Sequence, residues 1–164
     1  MNVVFLDYDG VVNTPMWNPE GTQCSFGYPM DNKVNNFQCV QWVSEFCQKF
    51  GYSIVVSSTW RLKNNYKECL VNGGLRHGIK ILGRTKELAY ATRGAEIKQY
   101  LEDHPEIENF LIFDDENDMD ELEAHLVQCN SNTGFGLDEL NKAEELHNEF
   151  QKEKRRKEIR TTFK

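Results

Sequence analysis

The chain has 164 residues, 39% of them hydrophobic and 27% charged, with a formal net charge of −7. That length suits one domain with a sizeable core, expected over residues 1–164. No apolar run approaches the roughly 18 residues of a membrane-spanning helix, and the acidic balance disfavours a protein that works by coating nucleic-acid phosphates. Met1-Asn2-Val3-Val4-Phe5-Leu6 has no basic segment and meets Asp7 at once, so it reads as a buried strand rather than a signal peptide. Cys24, Cys39, Cys47, Cys69 and Cys129 form no C-x-x-C pair. Reduced thiols in a cytoplasmic protein are expected, not a disulfide scaffold or a zinc site.

In chain order, Val3-Val4-Phe5-Leu6 is a first strand uninterrupted by polar residues, as expected when both sheet faces are covered. A loop rich in Asn, Pro, Gly and aromatics occupies 13–32. Phe37, Val40, Val43, Phe46, Cys47 and Phe50 then recur at helical spacing, and Gly51 closes that helix. Ser53-Ile54-Val55-Val56 is the second strand. A helix follows over about 62–71, ended by Gly73-Gly74, and Ile79-Lys80-Ile81-Leu82 is a short strand. A helix over about 93–102 precedes Phe110-Leu111-Ile112-Phe113, the third long buried strand, and 125–129 is an edge strand. Leu137 opens the last helix, over 137–160, with Leu140, Ala143, Leu146 and Phe150 on one face. Its end, Lys152-Glu153-Lys154-Arg155-Arg156-Lys157-Glu158-Ile159-Arg160, sets six basic residues against two acidic ones. A solvated helix end complementing the dipole accounts for it; a patch that steers a polyanionic substrate is the sharper reading. Strands alternating with helices predict a three-layer α/β fold with a mainly parallel sheet.

In such sheets ligands bind beyond the carboxyl ends of the strands. The residues there are Asp7-Tyr8-Asp9-Gly10, then Ser57-Ser58-Thr59-Trp60-Arg61, then Asp114-Asp115-Glu116-Asn117-Asp118. Carboxylates gathered on one rim repel each other by several kcal/mol per close pair when partly desolvated, at ~332/(εr). A divalent cation relieves that repulsion, and oxygen-only ligands point to Mg²⁺. A phosphoryl group suits the remaining positions: one carboxylate attacks phosphorus in line while hydroxyls and a cation hold the other oxygens.

These residues also resemble a known family. Val4-Phe5-Leu6-Asp7-Tyr8-Asp9-Gly10-Val11 is similar to the first motif of the haloacid dehalogenase (HAD) superfamily, an apolar strand followed by D-x-D-G-[TV]. Ser57 stands where the second motif has Ser or Thr, and Ile112-Phe113-Asp114-Asp115 resembles the fourth motif. More narrowly, Ser57-Ser58-Thr59-Trp60-Arg61, Gly83-Arg84-Thr85, Arg93-x-x-Glu96-Ile97 and Gly136-Leu137 look like the small HAD domains of nucleic-acid (RNA) repair proteins. The resemblance implies a Rossmann-like HAD fold and an aspartyl-phosphate mechanism. Asp7 would be nucleophile and metal ligand. Asp9 would be general acid and base, its backbone carbonyl also binding Mg²⁺. Ser57 would hold the phosphoryl group, and the third-motif cation would be Arg93 or, alternatively, Lys86. Asp115 or Asp114 would complete the metal site. Ser58, Arg61, Lys86 and Gly10 would line the substrate position.

Each motif has a plainer explanation. Asp and Gly are common in turns and in calcium loops, but Val11 and Val12 stand where a calcium loop needs further oxygen ligands. Ser57, Ser58, Asp114 and Asp115 are all capable of capping helices, Asp118 and Asp120 suit a helix start, and Trp60 suits a core. Arg61 divides between a phosphate contact and a structural salt bridge. His77, His104, His125 and His147 have no ligand spacing. The stretches 13–32 and 61–93 are too short for a folded cap, which predicts an open site with a flap at most. Trp17, Phe26 and Tyr28 on that flap would either stack on a base or pack on the domain. An open site suits a bulky substrate that itself excludes water, hence a phosphorylated polynucleotide end or nucleotide. The other readings are a small-metabolite phosphatase and a non-catalytic phosphate-binding module.

Overall fold

The computed structural model describes residues 1–14 and 37–162. Its elements in chain order are β1 (Asn2–Leu6), α1 (Phe37–Phe50), β2 (Tyr52–Val56), α2 (Tyr66–Asn72), β3 (Ile81–Arg84), α3 (Arg93–Asp103), β4 (Asn109–Asp114), β5 (Leu126–Gln128) and α4 (Leu137–Thr162). Single 3₁₀ turns lie at Thr59–Leu62 and Asp120–His125. The five strands form one sheet in the order β3-β2-β1-β4-β5, parallel throughout.

Strand alternation sorts the side chains into two cores. Val4, Leu6, Ile54, Val56, Leu111 and Phe113 face a cluster completed by Val40, Val43 and Phe46 of α1 and by Leu140 and Ala143 of α4. Val3, Phe5, Val55 and Ile112 face the other way, onto Ile97 of α3, Met119 and Leu126. Both faces are covered, so the expected three-layer α/β architecture with a mainly parallel sheet is the one observed. Among the described residues no element forms a large cap. The flap expected over 13–32 lies outside the described residues apart from Asn13 and Thr14, as do Cys24 and the aromatic trio Trp17, Phe26 and Tyr28. Cys39, Cys47, Cys69 and Cys129 are buried.

Element boundaries moved where local hydrogen bonding overrode hydrophobic pattern. The helix expected from about 62 is a 3₁₀ turn followed by α2, because Ser58 Oγ accepts from Trp60 N at 3.3 Å and caps a tight turn. The third strand begins at Ile81 rather than Ile79: Lys80 already accepts from Ile54 N at 2.8 Å, but the register shifts between Ile54 and Val55, the local irregularity of a bulge.

Gly94, the second residue of α3, sets how closely that helix approaches the segment after β4. Its N–H donates to Asp118 O at 3.0 Å. A Cβ there would lie 2.4 Å from the Met119 carbonyl carbon, a backbone contact that no side-chain rotation relieves. Gly94→Ala is therefore expected to destabilise the protein by about 1–3 kcal/mol through forced backbone displacement, read as a lower urea midpoint at unchanged slope. An unchanged midpoint would show that α3 moves aside freely.

Candidate active site

The direction of winding changes at β1: β2 and β3 lie on one side of it, β4 and β5 on the other. Such a switch point opens a crevice at the carboxyl edge. The ladder runs one residue past the strands here, with Ser57 N donating to Leu6 O at 3.0 Å and Asp7 N to Phe113 O at 2.9 Å. Given the pairing of Leu6 with Val56 and with Phe113, Ser57, Asp7 and Asp114 stand side by side.

Asp7, Asp114 and Asp115 each present a carboxylate oxygen, all within 4.8 Å of one another. Asp7 and Asp114 are buried. Like charges at that spacing repel by roughly 3–4 kcal/mol at an effective dielectric of about 20. Burial raises the Asp7 carboxyl above its ordinary range, against the pull of Arg93 and a hydrogen bond from Ser58. Burial first, then the Asp7 charge, push Asp114 up to about 8. Asp115 is raised by burial and Asp7 in the same way.

Asp114 answers two demands at once. Its Oδ1 accepts from Glu116 N at 3.0 Å, the turn-capping role open to any such Asp. Its Oδ2 is fully buried and has no hydrogen-bond partner among the described residues. An acceptor so placed is costly unless something else meets it. Three carboxylates against one guanidinium also leave two negative charges when ionised, the charge of one divalent cation. The donor set is oxygen alone, so the cluster can chelate such an ion.

That guanidinium is Arg93, the first residue of α3. Its side chain is 14% exposed, with Nη1 3.5 Å from Asp7 Oδ1 and 3.9 Å from Asp114 Oδ2, and it also donates to the Ser57 carbonyl. Asp118 Oδ2 accepts from Arg93 N at 3.0 Å, and Thr92 Oγ1 accepts from Ala95 N at 3.1 Å. The start of α3 is thus pinned from two sides. Asp118 does serve a helix start, though that of α3, not of the turn that follows it in sequence.

Ser57 is fully buried, and its Oγ has no partner among the described residues. Arg61 and Lys86 are held elsewhere. Arg61 grips Glu96 with one nitrogen at 2.8 and 2.7 Å, and its Nη1 donates to the Ser57 carbonyl at 2.8 Å. It is the structural salt bridge of the two readings, and it braces Ser57 from behind. Lys86 pairs with Asp103 at 2.8 Å, with its side chain 72% exposed, and the structure does not bring it to the aspartates.

Asp9 is exposed and stands outside the three-carboxylate cluster. Its Oδ2 accepts from Trp60 Nε1 at 2.7 Å and its Oδ1 from Asn13 Nδ2 at 2.6 Å. Trp60 is buried, as a core residue should be, but its indole N–H also aims this carboxylate. Sequence reasoning missed that role, and it named no partner for the Arg61 salt bridge, because both depend on contacts across the fold. Gly10 has φ +77°, and a Cβ on it would lie 2.4 Å from the Asp115 carboxyl. Glycine there lets Asp115 approach the first loop.

Residues 3–140 match the family described as the HAD domain in Swiss Army Knife RNA repair proteins. The chain belongs to that family. No curated protein and no solved structure matches the chain. Family membership and the aspartate cluster together make this HAD domain a HAD-type hydrolase. No helix among the described residues is long and apolar enough to cross a membrane.

The raised carboxyls set the pH dependence of the metal-free HAD domain. Asp114 has a folded pKa near 8 against 3.8 ordinarily, so the folded state binds more protons than the unfolded one between those values. Its stabilising contribution is whole below about pH 4 and is lost as pH rises through about 8. Asp114→Asn removes the titration and should flatten the fall in urea midpoint over that window. Parallel wild-type and variant profiles would contradict the assignment.

Proposed function

We propose that this HAD-type hydrolase is a Mg²⁺-dependent phosphohydrolase that works through a phosphorylated Asp7, on a phosphomonoester at a polynucleotide end or on a nucleotide. The observation that carries the reading is the group of polar functions around Asp7: its own buried carboxylate, the buried Ser57 hydroxyl, whose Oγ has no hydrogen-bond partner among the described residues, and the Arg93 guanidinium 3.5 Å away. A phosphoryl group supplies acceptors for the last two and an electrophile for the first.

Asp7, Asp114 and Asp115, with the Asp9 backbone carbonyl, would hold Mg²⁺, which supplies positive charge to offset the carboxylates and the phosphoryl oxygens. Asp7 Oδ forms a bond to phosphorus as the bond to the ester oxygen breaks. The departing oxygen takes a proton from the Asp9 carboxyl. Asp9, now a carboxylate, removes a proton from water, whose oxygen attacks phosphorus; the bond to Asp7 breaks, and phosphate leaves with Asp7 restored. Ser57 and Arg93 hold the non-bridging oxygens throughout. Trp60 and Asn13 are positioning residues for Asp9.

Two observations support a large substrate. Asp9 is exposed and no large cap covers the site among the described residues, so water is best displaced by the substrate itself. The matched family is described by its RNA repair proteins.

Phosphate release from a 3′- or 5′-phosphorylated oligonucleotide should require Mg²⁺ and fall by at least about 10³-fold in Asp7→Asn, which keeps the shape but not the nucleophilic charge. Turnover near wild type would refute the mechanism, and faster release from small sugar phosphates than from oligonucleotides would refute the substrate class. Trp60→Phe removes the hydrogen bond that aims Asp9. It should lower kcat about tenfold on alkyl phosphates, matching the roughly 1–2 kcal/mol of such a bond, and much less on p-nitrophenyl phosphate, whose leaving group needs no proton. Equal losses on both substrates would assign Trp60 to packing alone.

A further inference from the structure

The last helix divides at Phe150. Before that point Leu140, Ala143, Leu146 and Phe150 pack on the core. From Lys152 to Thr161 every side chain is exposed, about three turns at 3.6 residues per turn. The helix leaves the body at the amino edge of the sheet. Lys154 Nζ meets Glu108 Oε2 at 2.6 Å, and Glu108 in turn lies 3.6 Å from the Met1 amine, just before β1 and β4 begin. The aspartate cluster is at the opposite, carboxyl edge. Strand rise and helix rise separate the two by roughly 20–30 Å, so the basic segment does not steer ligands into the rim.

The cations are sorted by face. Lys154 is on the inward side and is paired. Lys152, Arg156 and Arg160 follow at four-residue intervals with Arg155 and Ile159 alongside, one stripe on the side away from the core. None of these four cations forms an ion pair among the described residues. The helix dipole accounts for Arg160 alone, the basic residue of the last turn. A row of like charges at that spacing opposes the helix that carries it.

We propose that this outward stripe of Lys152, Arg155, Arg156 and Arg160 is a second binding surface, for the phosphate backbone of single-stranded RNA. The stripe is three parts guanidinium, whose planar fork matches phosphate oxygens two at a time. Its sole apolar member is Ile159, 58% exposed, too little apolar surface to seat a protein partner or to enter a lipid interface. A polyanion bound by counterion release needs no apolar contact. The surface lies beyond residues 3–140, outside the family match. It rests on the proposed function only in that one strand would present its terminal phosphate to the rim and its backbone to the helix.

Binding of a labelled RNA of about 30 nucleotides without a terminal phosphate tests this, using the full chain with Asp7→Asn so that turnover does not enter. Adding Lys152→Gln, Arg155→Gln, Arg156→Gln and Arg160→Gln should weaken binding at least tenfold at low salt. It should also make the log Kd against log salt slope shallower by about 3, at ~0.7 per neutralised phosphate. The pair Arg155→Gln and Arg156→Gln should give about half that change. Lys154→Gln, which removes the paired inward cation, should leave the slope unchanged, well short of the ~0.7 of one lost phosphate contact. Equal slopes for parent and fourfold variant overturn the proposal. So does competition by polyglutamate or phosphatidylserine vesicles as effective as that by unlabelled RNA. Because no phosphate is released in any arm, this result stands apart from success or failure of the hydrolase reading.

Discussion

The register of β1 against β4 is the constraint on which the rest depends. Leu6 pairs with Phe113, so the next residue of each strand, Asp7 and Asp114, is set beside the other at the point where the sheet changes winding. A slip of one residue would turn Val4 and Leu6 out of the core shared with α1 and α4, and Val3 and Phe5 out of the core shared with α3. Two fully packed faces therefore hold two carboxylates in a proximity that neither would choose. Core stability here maintains electrostatic strain, and a divalent cation held by the three carboxylates would relieve it.

Behind the cluster, charge is arranged in two shells with opposite outcomes. Arg61 and Arg93 both donate to the Ser57 carbonyl, which draws two guanidinium groups into one small volume. Glu96 takes up the charge of Arg61 in a bidentate pair buried from water. A pair of that kind adds little net stability, but losing either partner strands a buried charge. With Arg61 neutralised, Arg93 is the cation left facing Asp7 and Asp114. Glu96 thereby keeps the Arg61 charge from competing with that of Arg93 beside the aspartates.

How much of this was legible in the sequence follows from which interactions are local. Asp7, Ser57 and Asp114 were found because each directly follows a short apolar strand, and strand ends converge by topology alone. Arg93 rather than Lys86 was not decidable from sequence, since both lie between the second and third long strands; α3 begins with Arg93 at the rim, whereas Lys86 is held by Asp103 at the far end of the same helix. Trp60 was legible as buried but not as a donor to Asp9. The five residues from Asp9 to Asn13 form a turn in which Val11, Val12 and Asn13 all donate to Tyr8 O. That turn swings Asp9 toward the 3₁₀ turn after β2. No periodicity encodes such a meeting. The shifts at β3 and α2 have the same origin: a bulge and a serine cap, each settled by one hydrogen bond.

A net charge of −7 hides a molecule with two poles. Three carboxylates crowd the carboxyl edge of the sheet, and unpaired cations project beyond the amino edge. One element, α4, joins these ends. Phe135, just ahead of it, donates to Val11 O beside the first loop, and its far end runs past Glu108 into solvent. Asp138 and Glu139 occupy its first turn and Arg160 its last, so side-chain charges complement the helix dipole at both termini. The dipole does not ask for Lys152, Arg155 and Arg156, which lie one to three turns inside the end and repel one another. Segregation of charge costs stability wherever like charges neighbour, and at the aspartate rim a bound cation would offset that cost. By the same logic a polyanion would offset the repulsion at the other pole, reached by the outer face of the helix and not by the sheet.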